Sequence, residues 1–540
     1  MDQIDVGKLT VAPFDFDSII EVRMEKALNE HSTLYVHGIV KEEDNINPVL
    51  DMTEGTPIRF ENDGHVYFSG VLTSIEIKCE GSQYHLHAFA SSNTILLDVV
   101  KHKRSFQDNK MTYKAIVEHV IQEEGGVVEY HADEMKVENI ILQYDETDWE
   151  FAKRLASHTQ DVLIPIVSED RPAFHFSVPE REAESREVSE FTISKNFKAY
   201  RNMVKQEKPL TAEDVTFYAV TLGDYVCELG EAFNLNGKDL HVHGLTLSLV
   251  DSALTVTYVL AGKNALSAPK SFNHGITGLT IRGIVLSVEG DRVKLHLDTD
   301  IKEDEPTAHL FKYATGYDAE NCTGWYVMPE AGDCVHLLFP TEDERQAYAA
   351  CSVRMEDTAR TADHKVKYWR TADGKEIKMD EKEILLTAHD GGAIGSEITY
   401  VRMHEDRGVD IITPRPLRIQ TQSTMNIESQ GDMSIVCRGN LHIQGDASIT
   451  LVNADNIMKY VPEEGITVST EDEMKLISGG DAAVSSEAGL MLISGEGMSL
   501  DCGGEMEGHA ATSIELSGAG SSVTIDAGEI NGKAPDVYWN

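Results

Sequence analysis

The sequence predicts a mainly β fold. It comprises two β-barrels with a few helices between them, a third small barrel, and a C-terminal β-structure built on a repeat. Three observations point there. Short β-rich runs broken by glycine turns fill most of the first two thirds of the chain. Helical spacing of apolar residues is confined to 96–180. From residue 401 onward, an apolar-x-apolar pair recurs every eight residues.

The chain has 540 residues, of which 41% are hydrophobic, enough for the cores of several domains. It carries 91 acidic and 47 basic residues, a formal net charge of -44. Such a surface repels phosphate backbones and anionic lipid, which argues against nucleic-acid partners and stable membrane anchoring. No run of about 18 apolar residues suggests a membrane span. The first residues, MDQIDVGKLTV, include early acids and no long apolar run, so cytoplasmic assembly without a secretory signal is expected. The 7 cysteines are scattered with no C-x-x-C, which fits a reducing compartment rather than a disulfide framework.

Residues 1–95 read as the first barrel. Runs at 33–40 and 74–79 are strands, and Glu61-Asn-Asp-Gly64 and Glu80-Gly81 are turns. Residues 96–180 hold the helices. One places Ile116, Val117, Val120 and Ile121 on a single face and stops at Gly125. The other starts with a capping box, Thr147 with Glu150, and buries Trp149, Ala152, Leu155 and Ala156. Residues 181–272 read as the second barrel, ending in the linker SAPKSFNHGITG. In 273–356, a hairpin turns at 289–292 and a strand precedes Pro340, which suits a five-stranded barrel of the oligonucleotide/oligosaccharide-binding (OB) type.

Residues 357–540 are read as a connector and the repeat. The pairs are Val401/Met403, Val409/Ile411, Leu417/Ile419, Met425/Ile427, Met433/Ile435, Leu441/Ile443 and Ile449/Leu451. After a register jump at VNADNIMKYVPEEG come Ile466/Val468, Met474/Leu476, Ala482/Val484, Leu490/Leu492, Met498/Leu500, Met506/Gly508 and Ile514/Leu516. Residues i and i+2 of a strand share a face, so each octad is a short strand with two inward side chains and a corner. Corners such as Gly431-Asp432 and Gly439-Asn440 suit positive φ. Residues 411–540 hold only three aromatics, so the core is thin, and they carry 19 acidic against 6 basic residues. Three chains wound on one axis would close such a structure and remove its edges. A single-chain solenoid or a loose β-rich tail remains the alternative from periodicity alone.

The chain resembles the VgrG spike proteins of type VI secretion and the hub–spike proteins of contractile phage tails and phage-like particles, over nearly its whole length. Residues 143–158 are similar to the family's hub helix, with its Asp-Trp-Glu-Phe opening and Arg-Leu-Ala. Residues 324–333, followed by Val335 and Phe339-Pro340, are similar to the barrel motif that precedes the needle. The resemblance implies a pseudo-hexameric hub made by three chains and an intertwined trimeric β-helix needle. It implies a puncturing role in a contractile injection machine, within a particle delivered outside the cell or into its target. Implied partners are two further copies of the chain, the inner tube protein, baseplate proteins, a PAAR-like tip protein and effector cargo. The needle core would be Met425, Ile427, Met433, Ile435, Leu441, Ile443, Ile449, Leu451, Met474, Leu476, Leu490, Leu492, Met498, Leu500, Ile514 and Leu516. Tyr538 and Trp539 would touch the tip protein.

Some family spikes insert a lysozyme domain before the needle, and the interval 355–400 is too short for one. Others end in a His-x-His iron site, yet no histidine follows His509. No appended toxin domain is expected either. Neither a catalytic residue, a cofactor nor a metal is expected. His85-x-His87 and His241-x-His243 read as ordinary strand histidines without a third ligand. Asp145, Glu146, Asp148 and Glu150 serve the helix start. Cys322 and Cys334 are structural thiols, and the needle methionines fill core. The alternative function is a trimeric phage tailspike that binds or cleaves surface glycans. That requires carboxylates beside aromatic platforms, which the repeat lacks.

Overall fold

The computed structural model describes residues 6–40, 46–81, 83–197, 214–319, 321, 323–356, 358, 362–388, 398–526 and 528–536. The chain divides into two compact units, Met1–Pro416 and Leu417–Asn540. It is mainly β with few helices. Among the described residues, no helix is long and apolar enough to cross a membrane.

A 12-stranded sheet dominates the first unit. Its main path runs Leu9–Ala12, Pro57–Asn62, His65–Glu80, Gln83–Ser92, Thr33–Val40, Phe16–Ala27, Lys238–Val250, Ala253–Ala261, Thr216–Leu222, Thr192–Lys195. The strand sets expected as barrels at 1–95 and 181–272 meet in this sheet. Phe16–Ala27 pairs along one edge with Thr33–Val40 and along the other with Lys238–Val250, so the two strand sets share a sheet. Side-chain alternation explains the joint. Met24 lies opposite Leu247 and Val22 opposite Leu249, all four buried, so both sets point their apolar faces into one core. The buried Lys26 lies at the same joint, held by Glu228 at 2.7 Å and the Tyr225 hydroxyl at 2.9 Å.

The turns follow the sequence. Asp63 and Gly64 take positive φ between Pro57–Asn62 and His65–Glu80, as does Gly81 in the next hairpin. Each strand set ends in a hairpin followed by a 3-10 helix, Asn93–Asp98 in one and Lys263–Leu266 in the other.

The helical segment forms a second core. Tyr113–Glu123 buries Ile116, Val117, Val120 and Ile121, and the chain turns at Gly125 (φ +69°). Asp148–His158 opens with the predicted capping box: Thr147 accepts from the Glu150 amide, and Glu150 accepts from the Thr147 amide. Trp149 packs edge-on to Phe174 with centroids 5.5 Å apart. The expected linker at 267–278 is instead a strap on this helix. The Ser271 amide donates to Ser157 Oγ at 2.9 Å, and Asn273 Nδ2 donates to the Tyr144 carbonyl at 2.8 Å.

A small barrel closes in the order Thr280–Glu289, Arg292–Leu297, Leu310–Ala314, Tyr348–Val353, Cys334–Leu338 and back to the first strand. Only the pair Leu310–Ala314 with Tyr348–Val353 is parallel. Gly290 at φ +61° makes the predicted hairpin turn. Cys334 is buried, and Cys322 lies outside the described residues. An antiparallel meander follows: Lys367–Arg370, Lys375–Met379, Glu383–Ala388, Thr399–His404, Gly408–Ile412. It takes the first two octads, so Val401 lies opposite Ile411 and Met403 opposite Val409. A five-residue strand plus a three-residue turn also makes a period of eight, so periodicity cannot separate a hairpin from a repeat wall.

In the second unit, Ile449–Asn453, Asn456–Val461 and Gly465–Ser469 form a three-stranded meander at the register jump. Ser513–Gly518, Ser521–Asp526 and Ile530–Lys533 form another. Residues 417–448 and 470–512 belong to no strand. The octad-corner glycines Gly431, Gly439, Gly479 and Gly503 do not use the positive φ that glycine tolerates; the backbone bends there.

Candidate functional site

The chain's most distinctive surface is apolar and faces outward. In the meander, cross-strand register builds two ladders on one face: Met379, Ile384, Met403, Val409, and Ile377, Leu386, Val401, Ile411. Six of these eight are exposed, while Leu385, on the other face, is buried. In the second unit the octads repeat the pattern. Met425, Met433, Leu441, Ile443, Leu451, Met474, Leu476, Leu490, Leu492, Met498, Leu500 and Leu516 are exposed, Ile427 and Ile435 each at 74%; Ile449 and Ile514 are half-buried within meanders. Among the described residues, no backbone ladder serves 417–448 or 470–512 within the chain. Strand-forming sequence with outward apolar pairs and open backbone lacks the partners that such groups require. The Tyr538 and Trp539 positions lie outside the described residues.

A buried polar junction locks the helical segment to the small barrel. Arg154 donates to both oxygens of Glu146 at 2.8 Å, to Glu344 at 2.8 Å and to the Leu142 carbonyl at 2.7 Å. Burial opposes its charge, and the Glu344 and Glu146 carboxylates outweigh burial and raise its pKa. Asp148 takes Arg104 at 2.6 Å, and Arg104 also bonds Glu123. Asp300 of the barrel accepts from the Ser105 amide and hydroxyl, each at 2.6 Å; burial raises its pKa against those bonds. Sequence reading found the capping residues here but missed the Arg154–Glu344 tie. Its one signal was a cation within the buried stripe, between Phe151 and Leu155.

The paired histidines are partnered by neighbours. His37 stands 3.1 Å from His85 and stacks on His87 at 4.1 Å, and the Tyr35 hydroxyl reaches His87 Nδ1 at 2.9 Å. His241 Nδ1 lies 3.2 Å from the Gly230 carbonyl, and His243 meets Phe217 edge-on. The sequence search missed a third group, Glu129, His131 and His175. Burial pushes the His175 pKa down to about 4, against the raising effect of Glu129. Trp325 and Tyr326 of the barrel motif are exposed, the Tyr326 hydroxyl donating to the Gly290 carbonyl at 2.8 Å.

Residues 20–159 match the family described as phage tail baseplate hub (GPD). The resemblance drawn from the sequence is thus met, on the hub side, by a family match. No curated protein matches the chain. Among solved structures, one similar chain is the E. coli c3393 protein, a component of the type VI secretion system with structural similarity to T4 bacteriophage tail proteins gp27 and gp5. It shows 11% identity and a TM-score of 0.46, over 64% of this chain and 100% of that one. A chain of the Francisella PdpA-VgrG complex shows 8% identity and a TM-score of 0.48, over 75% and 87%. The 43 kDa tail protein of prophage MuSo2 from Shewanella oneidensis shows 10% identity and a TM-score of 0.40, over 49% and 98%.

Proposed function

We propose, from the baseplate-hub match over residues 20–159, that this chain is the hub and spike of a contractile injection machine, acting as a homotrimer. The observation that carries the trimer is the row of outward apolar pairs on backbone without a ladder. Three copies around one axis would turn each pair inward and give each strand its neighbours. The needle core is then the octad set from Met425/Ile427 to Ile514/Leu516. The closed barrel fits this reading: its strand order, with a single parallel pair, suits an OB-type barrel.

In this role the hub seats on the inner tube and baseplate, and the needle passes through the target envelope when the machine fires. A slim, stiff prism with an acidic surface adheres little on the way. A PAAR-like cap at the apex and effector cargo complete the assembly. No catalytic step is assigned to the chain. The test is the mass of the full-length protein by light scattering. About three times 59.8 kDa is expected. A stable monomer that keeps its β-structure overturns the reading, and specific binding or cleavage of a surface glycan, lost on substitution within 401–516, transfers it to the tailspike class.

A further inference from the structure

Glu129 and His131 sit two residues apart at the end of Val127–Tyr130. His175 lies on the parallel neighbour Ala173–Phe176, in register with Glu129. Two residues apart on extended backbone is one face, and the pairing brings the third side chain to it. Three ligand-type atoms converge. His175 Nδ1 stands 2.9 Å from Glu129 Oε2 and 3.0 Å from His131 Nε2, and His131 Nε2 stands 3.8 Å from the same carboxylate oxygen.

Hydrogen bonding alone serves this arrangement badly. One hydrogen on His175 Nδ1 satisfies the carboxylate or the other imidazole, not both. A cation in the middle satisfies all three. We propose that Glu129, His131 and His175 bind a divalent transition metal of the zinc class. Bonds of about 2.0–2.1 Å at tetrahedral angles hold ligand atoms roughly 3.3 Å apart, and the three separations here bracket that value. Two imidazoles and one carboxylate suit zinc better than calcium or magnesium, which take oxygen ligands. Glu129 and His131 are exposed, so the fourth position faces water. The bound ion would clamp Val127–Tyr130 to Ala173–Phe176.

The comparable group of His102, Glu124 and Asp148 makes the contrast. There the Asp148 carboxylate already pairs with Arg104 at 2.6 Å, and the guanidinium repels a second cation. Among the described residues, the ion pairs of Glu129 are to the two imidazoles alone.

Calorimetric titration of the chelator-treated, full-length protein with zinc chloride at neutral pH tests the site. One ion per chain is expected. His131→Ala and Glu129→Gln should each weaken it by at least about 100-fold, the upper end of what losing even a ligand's supporting partner costs. Both side chains are exposed, and circular dichroism checks that each variant stays folded. His85→Ala, at the His37–His85–His87 group, should leave binding unchanged. No zinc uptake overturns the proposal, as does affinity retained in both site variants or lost only in His85→Ala.

Discussion

Leu247 and Leu441 are both leucines in strand-forming sequence, and their surroundings are opposite. Leu247 is fully buried, opposite Met24, with ladder partners on both sides. Leu441 is 61% exposed and lies in no strand. The 12-stranded sheet closes its core within the chain because long strands and aromatics such as Phe60, Phe68 and Tyr258 fill a wide interior. Residues 417–516 contain one aromatic, Tyr460, and two inward positions per eight residues. That supply suits the narrow, shared prism proposed above and leaves a single chain open. A region that finishes its core within the chain and a region that leaves its apolar pairs exposed can therefore have similar hydrophobicity.

The sharpest way to break this comparison is Leu441→Asp. In the proposed trimer it would bring three carboxylates to one level of the core, and burying unpaired charge costs several kcal/mol per ion. Light scattering should show loss of the trimeric mass, while hydrogen exchange in the 12-stranded sheet stays protected. A trimer that survives the substitution would mean that residue 441 faces water in the assembly as well. Leu247→Asp should do the reverse damage and unfold the hub.

Within the first unit, Arg154→Met tests whether the junction holds helix and barrel together. It leaves Glu146 and Glu344 buried without their cation, a loss expected to cost about 3–5 kcal/mol. The urea midpoint of the hub should fall accordingly, and the trimeric mass at low denaturant should persist. Adding Glu146→Gln and Glu344→Gln should recover part of the loss.

These two substitutions also mark what the sequence made legible. Both long helices, their buried stripes and the Thr147 box were readable because each depends on residues within one turn of another. The octads were readable as a period. Their placement was not, since Val401 and Met403 find hairpin partners at Ile411 and Val409 inside the chain while Leu441 finds none. Fusion of the two expected barrels depends on Met24 meeting Leu247, more than two hundred residues apart, and no local pattern announces it. The same holds for Arg154 with Glu344, and for His175 with Glu129 and His131. Histidine spacing within one strand led to His85-x-His87, whereas the tighter cluster takes one of its members from a different strand.

Acid should separate the two units less severely. Burial, with Arg154 and Lys270 nearby, pushes the His158 pKa down to about 3, against about 6.5 in an unfolded chain. Below about 6.5 the unfolded chain takes up a proton that the folded one refuses. His158 therefore contributes full stability above that pH and loses it as the pH falls toward 3. The hub's thermal midpoint should decline over this window, and His158→Gln should flatten the decline. The second unit has its His442 and His509 exposed and no counterpart to this burial. An unchanged slope in His158→Gln would assign the acid sensitivity elsewhere.

The smallest expected effect is the helix cap. Thr147 accepts from the Glu150 amide at 3.1 Å and donates to Asp98, so Thr147→Ala orphans a backbone N–H and removes a partner from Asp98. Caps of this kind are worth about 1 kcal/mol, and Thr147→Ser should restore most of it because the hydroxyl alone makes both bonds. Ser429 is the matching hydroxyl in the second unit, accepting from the Gly431 amide at 3.3 Å on exposed backbone. Ser429→Ala should shift stability by less than about 0.5 kcal/mol, because water replaces its bond where nothing replaces that of Thr147. Equal losses at the two positions would mean that residue 429 is buried in the assembled protein, and a measured cost there would report directly on how closely the copies pack around the octad corners.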